Sequence, residues 1–177
     1  GEDTDTLYCA AYQYFFFFLI STNSFSVYRT TYNDLGWRLD AYDPKGIYPG
    51  GNYFYLTRGV NTTNFARYNI TQNTWDEMST PPHPFGAGHD ICATNSENLY
   101  VIRGGGTTYF WRYDVNSDTW EELNAVPSTV SSGGCLVYPG YGDYIYVVRG
   151  SNTLDFYRYT ISTNSWESLA DLPISAV

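Results

Sequence analysis

The stretch Tyr100-Val101-Ile102-Arg103-Gly104, followed by Phe110-Trp111-Arg112-Tyr113 and by Trp120, decides the fold because the same pattern occurs three times. Tyr55-Leu56-Thr57-Arg58-Gly59 leads through Phe65-Ala66-Arg67-Tyr68 to Trp75, and Tyr146-Val147-Val148-Arg149-Gly150 leads through Phe156-Tyr157-Arg158-Tyr159 to Trp166. The glycine stands sixteen residues before the tryptophan in every copy. An apolar residue and a proline follow each tryptophan, as Leu123 and Pro127 follow Trp120, and Leu169 and Pro173 follow Trp166. Identical internal spacing in three copies marks a structural repeat.

A fourth, degraded copy opens the chain. Sixteen residues before Trp37 lies Ser21, which ends Phe17-Phe18-Leu19-Ile20-Ser21, and Val27-Tyr28-Arg29 stands where Phe65-Ala66-Arg67 stands in the next copy. The tryptophans are 38, 45 and 46 residues apart, a length that suits a propeller blade. Each copy holds four short β-prone runs separated by Gly, Asn, Pro or Ser turns, and helix signals are absent, so each reads as a four-stranded antiparallel meander. In the third copy the strands are expected at about Asp90–Thr94, Leu99–Arg103, Tyr109–Asp114 and Trp120–Leu123. One such sheet cannot bury both faces, whereas several packed radially can. The sequence therefore predicts an all-β fold: a single β-propeller domain of four blades, at about 7–40, 45–80, 88–126 and 132–172.

A glycine after the second strand, then Arg-Tyr, then Asn-x-Trp before an apolar residue and a proline, resembles the kelch repeat. Tyr68 to Trp75, Tyr113 to Trp120 and Tyr159 to Trp166 carry the resemblance, and the glycine pair usual in that family is replaced by Arg58-Gly59, Arg103-Gly104 and Arg149-Gly150. The resemblance implies a propeller, commonly of six or seven blades. Its functional range includes intracellular adaptors and secreted copper radical oxidases.

Composition bounds the partners. Across 177 residues, 18 acidic side chains against 9 basic ones leave a net charge of −9, which repels phosphate backbones, so no nucleic-acid partner is expected. The longest apolar run, Tyr14 to Ile20, has seven residues, too short to span a bilayer. Hydrophobic residues make up 43% of the chain, enough to build a core.

The candidate residues divide by repeat position. Arg67, Arg112 and Arg158, with Arg29, hold one position, and Arg58, Arg103 and Arg149 hold another. Repetition assigns them to architecture, with guanidinium groups bonding carbonyls or carboxylates where blades meet. The alternative is an anion site converging near the axis. Trp75, Trp120 and Trp166 are expected to pack equivalently between blades. Cys9, Cys92 and Cys135 are taken to share the position of Ile47, as reduced, buried core residues. His83 and His89 bracket a connecting loop and form a conceivable metal pair that lacks further ligands. Glu121, Glu122, Asp76, Glu77 and Glu167 read as exposed edge carboxylates. Asn61-Thr62-Thr63 and Asn69-Ile70-Thr71 are glycosylation sequons in predicted turns.

No nucleophile elbow, phosphate loop or HExxH pattern occurs, and no catalytic residue, metal or cofactor is expected. The leading expectation is a non-catalytic extracellular or cell-surface interaction module that binds protein or glycan, in one form a structural subunit of an assembly or filament. A secreted propeller enzyme, copper oxidase-like or carbohydrate-active, and a fragment of an intracellular kelch adaptor are the alternatives. No strand is left over to share a blade between the termini, so the chain is expected to function with neighbouring protein covering its first or last blade.

Overall fold

The computed structural model describes residues 6–11, 14–19, 24–27, 35–37 and 43–176. They form an all-β fold with almost no helix. Sheet 1 contains β1 (Thr6–Ala11), β2 (Tyr14–Leu19) and β3 (Ser24–Val27). Sheet 2 runs through β4 (Lys45–Ile47), β5 (Tyr53–Thr57), β6 (Phe65–Asn69) and β7 (Thr74–Glu77). Sheet 3 runs through β8 (Asp90–Ala93), β9 (Asn98–Ile102), β10 (Phe110–Asp114) and β11 (Thr119–Glu122). Sheet 4 runs through β12 (Cys135–Val137), β13 (Tyr144–Val148), β14 (Phe156–Thr160) and β15 (Ser165–Ser168). Strands in every sheet lie side by side in chain order and antiparallel, the meander expected of short runs joined by tight turns.

Two features depart from the sequence expectation. A fourth strand expected near Trp37 in the first copy is not formed at residues 35–37, and the rest of that region lies outside the described residues. Among the described residues the sheets do not close into a ring. First strands meet across sheets, β4 against β8 and β8 against β12, and no comparable contact joins sheet 1 to sheet 4.

The repeat motif explains how one sheet docks on the next. Tyr68, Tyr113 and Tyr159 each donate a phenolic O–H to the side-chain oxygen of Asn73, Asp118 and Asn164, at 2.7, 2.6 and 2.9 Å. Those three residues have φ of 55°, 54° and 47°, the left-handed conformation that Asn and Asp tolerate best among residues with a side chain. The turn so fixed presents the tryptophan two residues on. Trp120 donates its indole N–H to Ser79 O at 2.8 Å and meets Phe65 edge-on at 5.1 Å, both in the preceding repeat. Trp166 does the same to Asn124 O at 2.7 Å and Phe110 at 5.0 Å. Asp118 and Asn164 also accept the backbone N–H groups of Ser79 and Asn124, both at 2.9 Å, so turn and indole together latch onto the exit segment of the sheet before. Trp75 is buried with Trp37 and packs on Tyr68 at 5.2 Å.

The repeat glycine has a steric reason. Gly104 has φ 69°, and a Cβ there would stand 2.5 Å from Ala87 O and from His89 N. Only glycine lets the strand entering the sheet cross so near the end of the second strand.

Candidate functional site

The first strands bring ionisable groups together. By register Lys45 pairs with Thr57, Asp90 with Ile102 and Cys135 with Val148, so Lys45, Asp90 and Cys135 occupy one repeat position on three successive first strands. This corrects the sequence alignment of the cysteines. Cys92 pairs with Tyr100 and is equivalent to Ile47 and Val137, whereas Cys135 is equivalent to Asp90. The longer turn at 138–143 hides the offset in the sequence.

Asp90 joins two sheets. Its Oδ2 accepts the Leu136 N–H at 2.8 Å and its Oδ1 accepts the Ile91 N–H at 3.0 Å. Burial raises its pKa, and the two backbone donors and the Lys45 cation oppose that rise. The Cys135 thiol lies against Asp90, and its own pKa is raised by burial, by the Asp90 charge and by their hydrogen bond. Lys45 is held 2.9 Å from Asp43.

Cys92 is buried and Cys135 is exposed, and both are free thiols. The expectation of three buried cysteines therefore fails at Cys135, because that residue stands on a face of sheet 4 that no other sheet covers among the described residues. The side chain of Cys9 lies outside the described residues. Burial pushes the Cys92 thiol far above its ordinary range, so Cys92 is inert until unfolding. Cys135 is expected to alkylate more slowly than a free thiol at pH 8 despite its exposure, and Asp90→Asn to speed it several-fold by lowering its pKa. Equal rates in wild type and Asp90→Asn, followed with iodoacetamide, would show that the carboxylate does not control the thiol.

His89 is fully buried. Its Nδ1 lies 3.1 Å from Gly86 O, which can only accept, so Nδ1 carries the proton and Nε2 accepts the Thr57 hydroxyl at 2.9 Å. Both ring nitrogens are thereby used. His83 is exposed and lies against Tyr109 at 4.8 Å, so the two histidines do not converge. Among the described residues no cluster of three His, Cys, Asp or Glu side chains is arranged to hold a metal.

The two arginine positions differ: Arg67, Arg112 and Arg158 pair within their own sheets, whereas Arg149 reaches Thr129 O in the connection from sheet 3 to sheet 4 and Arg58 lies over Trp37 of the preceding copy at 6.0 Å. Arg67 contacts Asp76 at 3.0 Å, Arg112 contacts Glu121 at 2.5 Å and Arg158 contacts Glu167 at 2.6 Å, each directly across strands three and four. Such part-exposed cross-strand pairs are worth only a few tenths of a kcal/mol to about 1 kcal/mol. Arg67 and Arg158 also lie over Tyr53 and Tyr144 at 4.4 and 4.3 Å. Arg149 bonds Asp155 at 2.6 Å and Thr129 O at 2.6 Å, Arg58 bonds Asn64 at 3.4 Å, and Arg103 lies over Tyr109 at 5.9 Å. Each of these three meets the residue before its Phe, so they do not converge on one anion. Arg29 lies outside the described residues.

Of the two sequons, Asn61 is exposed in a left-handed turn, φ 64°. Asn69 is buried, its Nδ2 donates to Gln72 and its Oδ1 accepts from Asn52, both at 2.9 Å. A glycan on Asn69 would break these bonds, so Asn69 is withdrawn as an acceptor.

The most informative surface was not legible as a site in the sequence. Tyr55 stacks on Phe65 at 5.9 Å, Tyr100 on Phe110 at 5.9 Å and Tyr146 on Phe156 at 5.8 Å, so each sheet carries the same ring platform. Tyr113 and Trp120 cover the first, with centroids 4.8 and 5.1 Å from Phe65, and Tyr159 and Trp166 cover the second at 4.8 and 5.0 Å from Phe110. The third platform carries no such cap among the described residues. Around it Val137 is 51% exposed and Tyr144 37% exposed. The signal for this lay in the repeat itself, as a pattern carried to its last copy.

Comparison with protein families and with curated proteins gives no match. Among solved structures, that of YjhT superposes with a TM-score of 0.73 at 15% sequence identity, over 97% of this chain and 64% of that one. The likeness is one of fold, and this chain spans 64% of the length of the chain it matches.

Proposed function

We propose that the chain is a non-catalytic interaction module: four kelch-like blades of a β-propeller, acting at the cell surface or outside the cell and completed by neighbouring protein. The observation that carries this reading is the uncovered face of sheet 4. Cys135, Val137, Tyr144, Tyr146, Val148 and Phe156 form an aromatic and aliphatic surface bordered by the Arg158–Glu167 pair, and interface centres are enriched in such rings and in Arg. A structural subunit of an extended assembly is the form of the proposal that fits best, since an open sheet face at the end of a repeat series propagates. The exposed sequon at Asn61 supports export.

An apolar fluorescent dye tests the reading. The folded chain, diluted to nanomolar concentration, is expected to bind the dye, and Val137→Lys combined with Tyr146→Lys to abolish most of the signal. A folded chain that binds no dye, or a double variant that binds it equally, would remove the basis for an open docking face.

A further inference from the structure

Resting on the reading just given, the partner of this face has a definable chemistry. The covered platforms are capped by one device, a tyrosine and a tryptophan joined through an Asn or Asp turn: Tyr113-Asp118-Trp120 on sheet 2 and Tyr159-Asn164-Trp166 on sheet 3. In each case the exit segment of the covered sheet supplies the acceptor for the indole N–H, Ser79 O and Asn124 O, four residues after Trp75 and Trp120. Four residues after Trp166 stands Ala170, which is exposed. The receiving half of the latch is thus present in sheet 4: the Tyr146–Phe156 platform beside the backbone of Ala170.

The uncovered face also repeats the buried one in register. Cys135, Val148 and Phe156 form one row, equivalent to Asp90, Ile102 and Phe110, and Val137 and Tyr146 stand in the row equivalent to Cys92 and Tyr100. In sheet 3 all but Asp90 of these residues are buried under sheet 4. The row pattern is the same, and only the cover differs.

We infer that the open face of sheet 4 is a receptor for a further four-stranded repeat carrying the sequence Tyr-x4-Asn/Asp-x-Trp, whose rings cap Tyr146 and Phe156 and whose indole N–H is accepted by the Ala170 carbonyl. The charged pair beside the platform, Arg158 with Glu167, repeats the Arg112–Glu121 pair of the covered sheet 3, so it belongs to the repeat pattern and does not by itself call for a polar or glycan partner.

The test appends a second copy of residues 132–177 directly after Val177, which supplies a folded-type repeat with its own Tyr, Asn and Trp. In a Cys135→Ser, Val137→Cys background, with the added copy's own cysteine also replaced by serine, alkylation at position 137, the equivalent of buried Cys92, is expected to slow at least tenfold in the fusion at one fixed low concentration. Changing the added copy's tryptophan to alanine should restore most of the reactivity. An unprotected thiol at position 137 in the fusion, including the case where the added repeat stays unstructured, overturns the inference. So does protection in the unfused chain that rises with its own concentration, which would make a second copy the occupant. If the dye binds the chain but the fusion leaves the thiol at position 137 unprotected, the face is open to some other protein and only the latch is lost.

Discussion

Trp120→Ala is expected to destabilise the chain by about 2–4 kcal/mol, below the full range of buried Trp truncations because the indole is partly buried. The indole stands between two sheets. Its ring is 5.1 Å from Phe65 in sheet 2 and 5.0 Å from Tyr113 and 6.0 Å from Trp111 in sheet 3, so alanine leaves a cavity bordered by three rings. Truncation also orphans Ser79 O, which accepts the indole N–H at 2.8 Å. Water reaches that carbonyl because Ser79 is exposed, so the hydrogen bond accounts for about 1 kcal/mol and lost packing for most of the rest. Trp120→Phe separates the two: it keeps most ring contact and loses the donor, and should cost less than half as much. Urea midpoints for the three proteins decide the matter. A loss below about 1 kcal/mol for alanine would make Trp120 a surface aromatic.

The same residue shows what sequence could and could not reveal. The constant spacing from glycine to tryptophan identifies the repeat and places the strands to within about one residue, as with β9 at Asn98–Ile102 against an expected Leu99–Arg103. Spacing is a local property, and β meanders are built from local contacts. Whether the last platform is covered depends on which sheet comes next, and no local pattern encodes that. The cysteine alignment fails for a related reason. The strand register decides which cross-strand row a residue joins, and an offset of two residues keeps its face while moving it to the next row, because side chains alternate along a strand. Counting back from Gly150 across the 138–143 turn puts Cys135 in the Cys92 row, and the structural register moves it to the Asp90 row. Likewise Arg112 and Glu121 lie too far apart in sequence for their pairing to be read before the strand register is known.

His89 makes stability depend on pH between 6.5 and 4. The ring is sealed between Gly86 and Thr57, and desolvation lowers its pKa to about 4, against 6.5 when unfolded. Below pH 6.5 the unfolded chain binds a proton that the folded chain refuses, and stability falls wherever the unfolded state binds more protons as pH drops. Between pH 7 and pH 5 this amounts to about 2 kcal/mol, and the loss levels off once the folded ring also protonates near pH 4. The charges that face the ring do not reverse the sign. Asp43 favours the imidazolium, Lys45 opposes it, and burial exceeds both. Asp90 works the other way at the lower end: its folded pKa lies above 3.8, so the folded state takes up that proton first and regains some stability as pH approaches 3.8. The expected profile is therefore a fall from pH 6.5, then a shallow recovery or plateau near pH 4. His89→Gln retains hydrogen-bonding capacity toward Thr57 and Gly86 without a titrating ring, so it should be less stable at pH 7 and nearly flat down to pH 5. Urea midpoints across that range would refute the assignment if wild type held its pH 7 stability at pH 5, because a neutral buried histidine cannot be kept without that cost.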